Sequence, residues 1–372
     1  MTMDQKLVCG KDACTGCMAC VAVCPKNAIT VKDTLSAYNA VIDEGLCINC
    51  KRCEKVCQNL HPTVKHVPIA WYEGWAKEQV IRSHASSGGI ATALATGFIQ
   101  NGGYVCSCVF EQGKFTFQLT NREEDIWRSM GSKYVKSNPE SAYVLVREAL
   151  RSGKRVLFIG LPCQVAGMKR FVGETLQEQL YTVDLICHGT PSPKVLEIFL
   201  HQYQKTLANI NMIQFRIKAK MQLVVDDEGI VKKGVSDCYT ISFLNGINYT
   251  ENCYHCNYAS SDRVSDLTLG DSWGSENTQA HKKGISLVLC QTEKGQDLLD
   301  KCNVQLSFAD IDRAIGNNHQ LVHPSHCPDK RTWFFDGIGN GKKYNRMVWR
   351  LYFKQCFKQF VKKCLMEMRL IS

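Results

Sequence analysis

Nowhere in the 372 residues does an apolar run approach the 18 or more residues of a membrane span. The opening, Met1 to Gly10, has no apolar core and no small-residue cleavage pattern, which predicts no secretory leader and a cytoplasmic setting. A Gly-x-Gly-x-x-Gly run is also missing, which disfavours the nicotinamide-dinucleotide fold. Helix-turn-helix, zinc-finger and aromatic RNA-binding patterns are absent, which counts against nucleic acid as a partner. Acidic excess is lacking too: 45 Lys and Arg face 35 Asp and Glu, for a net charge of +10. Eleven of those cations, against three acids, fall within residues 325–372, so the rest of the chain is near neutral. Cysteine is abundant, with 21 residues. That count without a leader argues against a secreted disulfide framework and for thiolate metal ligands in a reducing compartment. An anaerobic host fits such oxidisable groups best. The 45% apolar composition and the length suit a globular chain of two or three domains.

The cysteines are ordered. Cys14, Cys17, Cys20 and Cys24 are followed by Pro25, and Cys47, Cys50, Cys53 and Cys57 repeat the same spacing 33 residues later. Three closely spaced thiolates reach three irons of one cubane, and the fourth ligand comes from far along the chain. The pattern therefore assigns Cys14, Cys17, Cys20 and Cys57 to one 4Fe-4S cluster. It assigns Cys47, Cys50, Cys53 and Cys24 to a second. Zinc sites instead present two Cys pairs across a longer insert. Cys9 falls outside the pattern as a spare thiol. Residues 1–60 thus read as a small α+β unit of the bacterial two-cluster ferredoxin kind, with extended pieces at 28–32 and 38–42. Its metal centres supply much of its folding energy.

Residues 61–70, with Pro62 and Pro68, read as a linker to a larger unit over 71–328. A helix is predicted over 90–99, and a hairpin over 104–110 and 115–119. Two strand–loop–helix units follow. The first runs from strand 155–159 through Gly160-Leu161-Pro162-Cys163 to a helix ending near Phe171. The second runs from strand 180–186 through Cys187-His188-Gly189-Thr190-Pro191 to helix 194–204. Such units predict an α/β sheet with its chemistry at the carboxyl edge. Residues 211–269 read mostly as strands, which makes the sheet mixed, with an added β portion. Residues 329–372 read as a basic amphipathic helical tail. Over 344–368, Arg346, Arg350, Lys354, Lys358 and Lys362 recur every four residues. Trp349, Tyr352, Phe353, Cys356, Phe357, Phe360, Val361, Cys364 and Leu365 form a wide second face. Docking on the body by that face is the expectation, with a partner-binding or membrane-surface helix as the alternative.

Several motifs bear chemistry. Cys163 and Cys187 end two adjacent strands and can meet the Cys253-x2-Cys256 pair in a four-thiolate site; zinc, free thiols or a catalytic disulfide are other readings. Ser86, Ser87, Gly88 and Gly89 either approach a phosphate or flavin ring at a helix's positive end or simply cap and turn. His188, beside Gly189, either exchanges a proton or is a hydrogen-bonded loop histidine. Arg216 either binds an anion or faces solvent.

Four more runs complete the set: Gly131-Ser132-Lys133-Tyr134, Phe215-Arg216, Cys253-Tyr254-His255-Cys256, and Asp266 through Gly274. Taken in order over residues 71–275, these motifs resemble the family of coenzyme F420 hydrogenase/dehydrogenase beta subunits. The resemblance implies FAD on the α/β domain and supports a third 4Fe-4S cluster at Cys163, Cys187, Cys253 and Cys256. It makes Lys133 and Tyr134 flavin contacts, and adds Arg263 and Asp271 to the cofactor-binding set of Ser86 to Gly89, His188, Gly189 and Arg216. His188 and Lys133 become the catalytic candidates. The implied activity is that of an iron–sulfur flavoprotein oxidoreductase. It relays electrons between a ferredoxin-like donor or acceptor, the clusters, FAD and a small organic substrate, with F420 itself unspecified. One rival is an electron-transfer component of a larger redox complex, without its own substrate. Another is an iron–sulfur redox sensor. A homo-oligomer is compatible with either oxidoreductase reading.

Overall fold

The computed structural model describes residues 5–218, 220–277 and 282–368, with Ile217 described by its backbone alone. The first four residues of the chain and the last four of the basic tail lie outside them.

The cysteine-rich unit is built twice from one pattern. Each half has a short helix, Ala19–Val23 or Arg52–Val56, preceded by a left-handed residue, Met18 (φ 64°) or Lys51 (φ 58°). Each helix stops at an extended cysteine, Cys24 or Cys57, with φ −74° and ψ 114° in both. One strand pair joins the halves: β1 (Ile29–Asp33) and β2 (Tyr38–Ile42) run antiparallel.

The larger unit is an eight-stranded mixed sheet. Its strands are β3 (Ala70–Ala76), β4 (Tyr104–Glu111), β5 (Lys114–Thr120), β6 (Val156–Ile159), β7 (Leu180–Leu185), β11 (Leu267–Asp271), β12 (Ser286–Cys290) and β13 (Val304–Phe308), in the order β13-β3-β12-β11-β7-β6-β4-β5. The four central strands, β11, β7, β6 and β4, are parallel, and both flanks are antiparallel. Val156, Leu157, Phe158, Val183 and Leu267 are wholly buried, as parallel strands covered on both faces must be. Pro162 starts the helix Pro162–Val172, and Ser192 caps Pro193–His201 by accepting from Lys194 N at 3.0 Å. The β6 and β7 loops therefore open at the same carboxyl edge.

The added β portion is a three-stranded sheet of β8 (Ile213–Ile217), β9 (Lys220–Val225) and β10 (Glu228–Gly229). The stretch 211–269 departs from the mostly-strand expectation. Asp237 caps a buried helix, Cys238–Leu244, accepting from Thr240 N at 2.8 Å, and Glu251–His255 form a 3-10 turn. An N-cap aspartate ahead of a short apolar run outweighed the β-branched composition.

The tail also differs. The helix expected over 344–368 is broken at Tyr352 (φ −124°, ψ 44°) into Tyr344–Leu351 and Phe353–Glu367. The first piece buries Tyr344, Met347 and Val348 in a core shared with Phe199, Tyr239 and Phe334. The second does not dock by its aromatic face, because Phe353, Phe357 and Phe360 stay exposed.

The two units share a core: Cys17 and Cys20 pack in one apolar cluster with Tyr143, Val146 and Phe171. Tyr143 donates to Cys17 O at 2.6 Å and Arg170 to Lys55 O at 2.8 Å. Residues before β3 lie along the body, where His66 and Arg263 exchange backbone hydrogen bonds of 2.7 and 3.0 Å.

Candidate functional site

The crossed pairing of the N-terminal cysteines has a geometric counterpart. Cys24, Cys47, Cys50 and Cys53 line one small cavity with Pro25 and Ile42. Cys57 instead stands among the first half's thiols, with Cys9 beside both Cys14 and Cys57. The Cys9 thiol lowers the Cys14 pKa and brings Cys57 down to about 6. Burial pushes Cys17 up to about 11 and raises Cys20, with Cys57 and Cys53 adding to the Cys20 shift. Cys9, read from the sequence as spare, is thus a neighbour of two members of the inner quartet. The surroundings of the quartets differ. Cys14, Cys17, Cys20 and Cys57 are buried, whereas Cys50 is exposed and Cys24, Cys47 and Cys53 are half-buried.

The second assembly lies at the carboxyl ends of β6 and β7. Cys163, Cys187, Cys253 and Cys256 line a cavity of about 560 Å³, closed on the other side by Lys11, Asp12 and Thr15 of the cysteine-rich unit. Burial, then the neighbouring thiols, raises Cys256 and Cys163 and pushes Cys187 up to about 12. Thr190 N donates to Cys253 Sγ at 3.4 Å. Gly167 lets its helix approach the inner quartet: a Cβ there would stand 3.2 Å from Cys17 Sγ. Among the described residues no three His, Cys, Asp or Glu side chains converge for a single metal ion.

Lys136 supplies the test of fit. It is 4% exposed, lines the cavity, donates to Thr15 O at 2.9 Å and lies over the Tyr38 ring at 5.2 Å. No carboxylate among the described residues forms an ion pair with it. A buried ammonium with so little compensation costs several kcal/mol unless negative charge faces it. Cys14 of the inner quartet and Cys163 and Cys187 of the other lie within its electrostatic reach. An anionic group on either side would suit such a cation.

The remaining candidates form a strip leading away from Cys187. Ser86 Oγ accepts from Ser132 N at 2.9 Å, joining the two motif loops. Tyr134 stacks on Phe243 at 4.4 Å. Arg216 grips Asp271 through two bonds of 2.5 and 2.8 Å. Lys133 Nζ donates to Ser129 O and Met130 O at 2.5 and 3.1 Å, and burial holds its pKa below the usual lysine value. His188 faces the cavity yet is hemmed in by protein. That crowding, with His319 nearby, brings its pKa down to about 4. Its Nδ1 lies 2.6 Å from the Gln320 side-chain amide. Gly189, next in the loop, packs against the Tyr249 ring.

Two of the predicted cofactor-contact groups are partly engaged by the protein itself. Ser87 Oγ donates to Ile285 O at 2.8 Å, and Gly88 N to Ser286 Oγ at 3.1 Å. Gly88 is glycine because a Cβ would meet Gly74 O at 2.5 Å. Arg263 lines the thiol cavity and is held by protein groups. It is 2% exposed, paired with buried Asp184 at 2.9 Å, and bonded to the Tyr258 and Leu185 carbonyls. Its guanidinium also places a positive charge near Cys256.

Three residues escaped sequence reasoning. Lys136 was one, since a lysine is rarely buried. Lys218 and Arg82 were the others. Lys218 Nζ donates to Arg82 O and Ser87 O, and burial with repulsion from Arg82 and Arg216 brings its pKa down to about 8. Cations held this close favour a bound anion such as a diphosphate. Their signal lay in basic residues flanking the Ser86 and Phe215 motifs.

Comparison with known proteins agrees with this geometry. Residues 71–143 and 153–313 match the N-terminal and C-terminal parts of the coenzyme F420 hydrogenase/dehydrogenase beta subunit. The chain belongs to that family. Residues 13–59 match a 4Fe-4S dicluster domain, so this member is an iron–sulfur protein of an oxidoreductase family. It is similar to one of the subunits of the F420H2 dehydrogenase of Methanosarcina mazei, 24% identical over 309 residues, 77% of this chain and 85% of that protein. An uncharacterised protein of Methanocaldococcus jannaschii is 26% identical over 183 residues, 41% of this chain and 51% of that one. A chain of the solved F420-reducing nickel–iron hydrogenase complex from Methanosarcina barkeri gives a TM-score of 0.48 at 19% identity. The match covers 68% of this chain and 91% of that chain, a likeness too low to carry an argument.

Proposed function

We propose that this protein is a flavin-dependent iron–sulfur oxidoreductase whose three cysteine quartets form a line from an exposed entry point to a flavin site. The observation that carries the reading is the buried Lys136 between the inner quartet and the Cys163, Cys187, Cys253, Cys256 quartet. When bound, the clusters supply single-electron transfer and the flavin pairs electrons for an organic substrate. The chain's residues do the rest. Cys24, Cys47, Cys50 and Cys53 hold the outer cluster within reach of a ferredoxin-like partner. Cys14, Cys17, Cys20 and Cys57 hold the inner one away from water. Arg82, Arg216 and Lys218 bind the flavin's diphosphate near Ser86 and Ser87, and Asp271 fixes the Arg216 fork. Tyr134 and Lys133 line the ring end. His188, held neutral by burial, exchanges a hydrogen bond with a substrate or flavin heteroatom from the cavity rim. Membership of a larger redox complex is consistent with the similarity to a dehydrogenase subunit.

The test is analysis of protein purified without oxygen. The expected content is about twelve irons, matching sulfide and one FAD per chain. Eight irons without flavin would discard the oxidoreductase reading and leave an electron carrier.

A further inference from the structure

The helix Phe353–Glu367 is amphipathic, and it is turned inside out. Its polar side faces the body: Gln359 accepts from Ser236 N at 3.0 Å, Lys362 donates to Gly234 O at 2.6 Å, and Gln355 pairs with Asn245 at 2.8 Å. Cys356 is its one buried residue. The opposite side holds Phe353, Phe357, Phe360 and Val361, at 60%, 48%, 51% and 38% exposure. Trp349 props this strip, with its ring 6.1 Å from Phe353 and 6.3 Å from Phe360. Residues 342–368 hold eight Lys or Arg against one acid, Glu367. Lys354, Lys358 and Lys363 flank the aromatic strip.

We propose that this helix attaches the protein to an anionic lipid surface, lying flat with its phenyl rings among the acyl chains and its lysines at the headgroups. Area decides against a stable protein partner seated on this strip alone. Fifteen residues span about 22 Å, and a face about 10 Å wide gives about 220 Å². A stable protein interface needs about 800 Å² per side. Charge decides the lipid class: cations flanking an apolar strip are the pattern of interfacial helices. No helix among the described residues is long and apolar enough to cross a membrane, so attachment here is peripheral.

The test is flotation of the full chain, purified anaerobically, with vesicles of phosphatidylcholine alone or mixed with phosphatidylglycerol. Binding is expected only to the mixed vesicles and should fall as salt rises. Phe357→Glu combined with Phe360→Glu should cut partitioning at least about tenfold with iron content unchanged, and Lys354→Glu with Lys358→Glu should do likewise. In the wild type, brominated lipid should quench Trp349. The proposal is overturned by absence of binding to mixed vesicles or equal binding to both kinds. Lack of quenching also overturns it, as does a dimer in light scattering that the phenylalanine variant dissolves.

Discussion

The two halves of the cysteine-rich unit share their spacing, their left-handed turn and their short helix, yet they finish in different surroundings. Cys14, Cys17 and Cys20 are buried against Tyr143 and Phe171, while Cys50 faces solvent. The repeat is local, so it fixes how each half grips iron. The environment is tertiary, and it decides what each iron site is for. Cys57 belongs by sequence to the exposed half and by position to the buried one, as the proposed crossing of last cysteines would have it.

That crossing gives the sharpest way to break the comparison. Cys57→Ala and Cys24→Ala should each cost about four irons. Cys57→Ala, which empties the buried site, should also lower the melting temperature by about 10 °C or more, and Cys24→Ala by only a few degrees. Equal losses of stability would show that burial does not distinguish the sites. Next in size is Lys136→Met. Removing the buried cation should lower the potentials of two clusters by about 59 mV or more each, a tenfold change for a one-electron couple. The outer cluster should stay put, and Lys136→Arg should restore the wild-type values in potentiometric spectroscopy. A uniform shift of all clusters would contradict the placement of that charge. A chelator under mild oxidation should strip the outer cluster first, and Cys50→Ala should abolish that early phase of iron release.

The smallest effect concerns Lys218. Its pKa lies near 8 rather than at 10.5, lowered by burial and by Arg82 and Arg216. The ammonium that favours an anion is therefore lost as pH rises through that value. FAD binding, followed by fluorescence, should weaken about tenfold above pH 8, and Lys218→Arg should flatten the profile. A flat profile in the wild type would remove Lys218 from the flavin site.

What the sequence made legible follows from what its residues must do. Metal geometry dictates cysteine spacing, so the N-terminal dicluster unit could be read directly. The two strand–loop–helix units announced themselves through apolar runs ending at Cys163 and Cys187, which the parallel β6 and β7 bring to one edge. Burial of charge was not legible. Arg263 and Lys133 read as cofactor contacts and Lys136 drew no reading, and only three-dimensional packing shows Arg263 closed on Asp184 and Lys136 open toward thiols. The reversed tail helix was hidden for a similar reason: periodicity finds an apolar face but does not say which side the body offers it.

The most direct test of the line of quartets is the iron content of Cys253→Ala, purified without oxygen. The account predicts loss of about four irons, with the signals of the two N-terminal clusters intact. Iron content equal to the wild type would contradict it.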